Sequence, residues 1–120
     1  MSKNGGVTIM AKHEFGIMQK EPSSNENYIT YEPQKYNCIP IDDGLIEPIM
    51  VNLQGIDCYW HTRKNSKKGL AYCGISLIPP KSIEAFISIL SSQNKREYTY
   101  LIELAIQAKE KGKYIIHFGI

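Results

Sequence analysis

The chain has 120 residues, 42% of them hydrophobic and 22% charged, with a formal net charge of +2. That length suits one folded domain with its own core, and the composition excludes a disordered chain. No apolar run reaches the length of a membrane span, and no signal peptide is expected from the first residues. The three cysteines form no spaced disulfide framework, so a reducing cytoplasm is the expected compartment.

The charge is unevenly spread. Residues 14–57 hold eight acidic residues against Lys20 and Lys35, a net of −6, and residues 60–120 carry +6. The halves either complement each other inside one fold or leave an acidic patch for a basic partner.

Residues 1–9, with the polar stretch Lys3-Asn4-Gly5-Gly6, show no amphipathic pattern and are expected to be a disordered or non-native extension. Gly5-Gly6 just before Met10 also resembles a translated ribosome-binding purine run, which makes Met10 the expected start and 10–120 a single α+β domain. Residues 13–18 read as a strand with Phe15 and Ile17 on one face. KEPSSNEN, at 20–27, is loop by composition. Residues 28–36, with three tyrosines and Pro33, suit an extended segment lying over the surface. A strand follows at 36–41, where Pro40 marks an edge or an end.

Asp42-Asp43 ahead of LIEPIMVNL predicts a short helix with Leu45, Ile46, Ile49, Met50 and Leu53 on its apolar stripe. Pro48 fits only in a first turn, where an amide has no helical partner. Gly55 then closes the helix.

The stretch 56–77, IDCYWHTRKNSKKGLAYCGISL, holds two apolar runs around a basic turn and predicts a central β-hairpin. Centring the turn on Asn65-Ser66 sets Trp60 opposite Ala71, Cys58 opposite Cys73 and Ile56 opposite Ile75, all on one apolar surface. The other surface then carries Asp57, Tyr59, His61 and Tyr72. Pro79-Pro80 ends strand pairing, and Ser82 is positioned to cap a helix with Ile83, Phe86, Ile87 and Leu90 on one face. A second helix spans 95–111 and stops at Gly112. KYIIHFGI supplies a last strand, with Tyr114, Ile116 and Phe118 on one face and Ile115 and His117 on the other. The predicted architecture is α+β: a mainly antiparallel sheet with helices packed on one side.

Cys58, His61, Cys73 and His117 are metal-ligand residue types, but the hairpin register turns the two thiols inward and His61 outward. No second short ligand pair occurs, so no metal or cofactor is expected. Cys38 beside His61 or His117 would make a thiol nucleophile and base, although no nucleophile signature surrounds it. Arg63, Lys64, Lys67 and Lys68 read as a solvated turn, because nucleic-acid binding would need a longer stripe or a recognisable module. No phosphate loop or hydrolase motif is present. The outer hairpin strip, with His117 if the last strand adjoins it, could bind a partner, run acid–base chemistry, or simply be covered.

HEFGIM, YEPQKYNCI, GLAYCGISLIPP and the closing HFGI resemble a group of small uncharacterised proteins of Gram-positive bacteria, over nearly all of 10–120. Such proteins are similar in style to immunity partners encoded beside secreted toxins. The resemblance implies a context and no active-site residue. The expected function is therefore noncatalytic binding of a basic, toxin-like protein, with Asp43, Glu47, Asp57, Tyr59, His61, Tyr72 and His117 as candidate contact residues. The alternative is a small enzyme that pairs His61 or His117 with Asp57.

Overall fold

The structure is a computed structural model and describes residues 11–120; the extension expected at 1–9 lies outside the described residues. Six antiparallel strands form one sheet: β1 (Lys12–Ile17), β2 (Ile39–Asp42), β3 (Asp57–Trp60), β4 (Ser66–Lys68), β5 (Ile75–Ile78) and β6 (Ile115–Phe118), in the order β2-β1-β6-β5-β3-β4. Strand alternation divides the apolar residues between two faces. Phe15, Ile78 and Ile115 join a core with Ile83, Phe86, Leu90, Leu101 and Ala105 of the two long helices, α3 (Pro80–Ser92) and α4 (Thr99–Lys111). Each of the larger side chains among these contributes about 1.5–3 kcal/mol by leaving water.

On the opposite face, Leu77, Ile116 and Phe118 pack with Met18 and Tyr28, joined at the margin by Tyr36 and Tyr59. The segment following β1 thus covers this face, and a 3₁₀ turn at Pro33–Tyr36 interrupts its extended course. The α+β class, with helices on one side of an antiparallel sheet, is the expected one.

The hairpin differs from expectation in register and position. β3 pairs with β4 as Asp57↔Lys68, Cys58↔Lys67 and Tyr59↔Ser66, and its other edge meets β5 as Tyr59↔Leu77 and Trp60↔Ser76. The returning run is therefore two pieces: a short edge strand at 66–68, then a loop at 69–74 that carries the chain across to the other side of β3. Gly69 causes the split. Its φ of +78° ends β4, and its amide donates to the Ile56 carbonyl (2.8 Å). Trp60 follows the loop by donating its indole N–H to the Gly69 carbonyl (2.9 Å), so it is half-buried and not a core anchor. Cys73 is exposed, while Cys58 remains in the core. The hairpin lies at one edge of the sheet, and β6 and β5 occupy its centre.

Three smaller departures have local causes. The helix after β2 begins at Asp43, because the Asp42 carboxylate caps the Gly44 amide (2.8 Å). Pro48 consequently falls mid-run and divides it into α1 (Asp43–Ile46), a 3₁₀ turn (Glu47–Ile49) and α2 (Met50–Leu53). Ser82 caps nothing; Pro80 starts α3, and the Ser82 hydroxyl donates to the Asp57 carbonyl (2.6 Å), tying α3 to β3. No helix among the described residues is long and apolar enough to cross a membrane.

Candidate functional site

β1 and β6 are neighbours in the register Phe15↔His117, and β6 meets β5 as Ser76↔His117. His13, two residues before Phe15, therefore shares the helix-side face with His117 and Ser76. All three are fully buried, so their polar atoms require partners.

They find one another in a chain. His117 Nδ1 lies 3.1 Å from Ser76 Oγ, His117 Nε2 lies 2.8 Å from His13 Nδ1, and His13 Nε2 lies 2.9 Å from Asp43 Oδ1. The two imidazoles are within 16° of parallel, with centroids 5.1 Å apart, as rings joined edge to edge would be. Both ends of the chain reach the loop between β4 and β5. The Ala71 amide donates to Ser76 Oγ (2.7 Å), and the Tyr72 hydroxyl donates to both Asp43 oxygens (2.6 and 2.7 Å). Because Ala71 and Tyr72 are consecutive, the bonds close into a ring through the core.

With both imidazoles neutral, every direction in this ring is forced. The carboxylate of Asp43 only accepts, so His13 Nε2 carries a proton and its Nδ1 accepts from His117 Nε2–H. His117 Nδ1 then accepts the Ser76 hydroxyl proton, and Ser76 Oγ accepts from Ala71. Burial first, then His13 beside it, hold His117 well below the usual histidine range, so its ring is neutral. Donation from Tyr72 and then from His13 draws the Asp43 pKa down. The same bond, viewed from the phenol, pushes Tyr72 up to about 12, with burial and the Asp43 charge adding to it.

The seven residues expected to form one surface are dispersed. Asp43, Glu47 and Tyr72 gather at one end of the sheet, where the Glu47 charge is felt at the Tyr72 phenol. Asp43 follows the Lys12↔Asp42 pair on the β2 edge. Asp57 opens β3 near the other edge and at the opposite end, and its carboxylate is engaged by Lys68, whose hydrogen bond and charge lower its pKa. Tyr59 packs into the second cluster on the face away from α3 and α4. His61 leaves the strand with a left-handed φ of 65° and its Nδ1 lies 3.1 Å from the Tyr28 carbonyl.

His117 is a correction to the outward strip. β6 is a central strand and His117 faces the helices, so its ring cannot meet a partner. The Asp57–His61 acid–base pair does not assemble either: Asp57 opens β3 and bonds Lys68, whereas His61 lies past the strand's end against the Tyr28 carbonyl.

Two further candidates resolve simply. Cys38 lies against the second cluster, where burial and then Glu14 push its thiol up to about 12. Among the described residues, no three His, Cys, Asp or Glu side chains gather to hold a metal ion.

His13 and Ser76 were missed by reasoning from the sequence. The alternation that set Phe15 and Ile17 inward also sets His13 inward, so a signal existed for the histidine. None existed for Ser76, because its partner lies 41 residues away. A serine–histidine–carboxylate series can activate a nucleophile only where substrate reaches the oxygen. Here Ser76 is sealed, and the ring meets solvent only around Asp43, whose side chain is 24% exposed, and Tyr72.

A groove of about 1010 Å³ runs between β2 and the start of α4, past Pro40, Asp42, Leu45, Arg96, Tyr100 and Glu103. It mixes both charge signs and does not include the ring. No family model, curated protein or solved structure matches the chain.

Proposed function

We propose that the chain is a noncatalytic, cytoplasmic protein-binding domain, an immunity-type inhibitor that offers an acidic, tyrosine-bearing ledge to a basic, toxin-like partner. One observation carries this reading: the Asp43 carboxylate is held at the surface by bonds from both Tyr72 and His13. A fixed carboxylate loses little freedom on meeting a cation, which favours affinity over a mobile one. Glu47 and Val51 lie further along the same run and are both exposed, so this part of the surface offers charge and apolar area together. Such a mixture of acid, aromatic and aliphatic contacts suits a protein partner better than a small substrate. The separation of Asp57 from His61 and His117 favours this reading over acid–base catalysis.

The test separates the two ends of the sheet. Tagged wild type, Glu47→Lys and Asp57→Lys would each be used to capture partners from extract of the producing cell, at low and at high salt. Glu47→Lys should lose a partner that wild type and Asp57→Lys retain, with the difference narrowing as salt rises. Equal retention by all three proteins would remove the Asp43–Glu47–Tyr72 ledge as the contact surface.

A further inference from the structure

The neutral ring uses each of its protons once, and its direction runs one way, from the Ala71 amide to the Asp43 carboxylate. It also has one place for a further proton. If His13 carries protons on both nitrogens, its Nδ1–H must donate toward His117. His117 Nε2 then becomes the acceptor, its own proton sits on Nδ1, and Ser76 Oγ accepts from it. Ser76 Oγ has a second lone pair for the Ala71 amide, so only the serine hydroxyl proton must turn away. Two imidazole protons have become three, and His117 is neutral before and after.

We propose that this ring is a one-proton switch: uptake of a single proton reverses the two hydrogen bonds that flank His117, charges His13 and offsets the negative charge that Asp43 presents at the surface. The groups around the pair suit that role. Among the described residues Asp43 from α1 is the one carboxylate bonded to it, and Tyr72 contributes a neutral phenol whose ring lies 5.3 Å from that of His13. Ser76 faces it from β5, Ile41 opposes His13 from β2, and on the α3 side Phe86 packs against Phe15 beside it. Glu14, with Tyr31 and Lys12, lies on the opposite sheet face. The charge of His13 would thus be met by Asp43, whose attraction for a cationic partner would fall accordingly. That last step rests on the proposed binding function; the switch itself does not.

The experiment follows the imidazole nitrogens of the full chain by NMR from about pH 9 to about pH 5, the span over which histidines titrate. The expected result is that His117 changes from the Nε2–H to the Nδ1–H tautomer as His13 becomes an imidazolium, with the dispersed amide spectrum retained. Asp43→Asn keeps an acceptor for His13 and Tyr72 but removes the countercharge, so the tautomer change should move down by about one pH unit or more. A single His117 tautomer throughout the folded range would overturn the switch. So would loss of the folded spectrum before any change, which would make the ring a structural lock. If the tautomer changes while a captured partner binds equally at both pH values, the switch stands and the ledge fails as the contact surface.

Discussion

Ala71 and Tyr72 are adjacent in the chain, yet they hold the two ends of a hydrogen-bonded path through Ser76, His117, His13 and Asp43. The path binds one loop to three strands and to the start of α1. Backbone contacts support the same loop from the C-terminus: Ile120 donates to the Tyr72 carbonyl (3.0 Å), and Gly119 donates to the Gly74 carbonyl (2.7 Å). Gly119 permits that approach, since a Cβ there would stand 2.1 Å from the Tyr72 oxygen. The position of Tyr72 is therefore set from several directions.

Ser76→Ala tests the ring as a stabilising element. It strands the Ala71 amide and His117 Nδ1 in the interior, at about 1–3 kcal/mol for each unpartnered group. Ser82→Ala removes one partly buried bond and should cost about 1 kcal/mol. Urea denaturation of the two variants gives the comparison. Equal losses would mean that the ring adds nothing beyond a single hydrogen bond.

Acid should act through His117. Its folded-state pKa lies below the unfolded value of 6.5, so the unfolded chain binds more protons as pH falls. The contribution of His117 is present in full above about pH 6.5 and is lost below it, by up to about 1.4 kcal/mol per pH unit. Denaturation midpoints at about pH 7.5 and about pH 5.5 should show that fall, and His117→Gln should flatten it. An unchanged slope in the variant would assign the acid sensitivity to another group.

The altered hairpin register changes what Trp60 is worth. As a core anchor its replacement by alanine would cost about 3–5 kcal/mol. Half-buried at the sheet edge, Trp60→Ala should cost about 1–3 kcal/mol, whereas Phe86→Ala, fully buried between α3 and β1, should reach about 3–5 kcal/mol. If Trp60→Ala proves the worse of the two in a denaturant titration, the edge placement is wrong.

Thiol chemistry reads the same register. Exposed Cys73 should react first with a disulfide reagent, Cys38 slowly, and Cys58 only on unfolding, because burial pushes the last two thiols up to about 12. Peptide mapping after a short pulse gives the order. Rapid labelling of Cys58 would contradict its place in the core.

Local pattern carried much of this fold. Phe15 and Ile17 on β1, the stripe of Ile83, Phe86 and Leu90 on α3, the stop at Gly112 and the alternation of Tyr114 to Phe118 all follow from periods of two or 3.6 and from end signals. Those features depend on residues a few positions apart, and the chain states them directly. The hairpin register was another matter. Pairing 56–60 with 71–75 sorted the apolar side chains well, but it counted side chains alone and overlooked the left-handed backbone at Gly69. Once β4 stops there, residues 70–74 become free to cross to β5.

The site was legible only in fragments. The sequence identifies Asp43 as a helix-start acid and sets His117 on the face opposite Phe118. It does not show that β1 and β6 are neighbours, and that contact alone brings His13 to His117 across 104 positions. Strand order decides which buried polar groups meet, and burial then obliges them to bond to whatever they meet. The sequence by itself determined an α+β chain with an acidic first half and its helical stripes. Only the tertiary structure decided that one acid, Asp43, would be held at the surface by a ring of bonds through the core, while Asp57 went to the far end of the sheet and to Lys68.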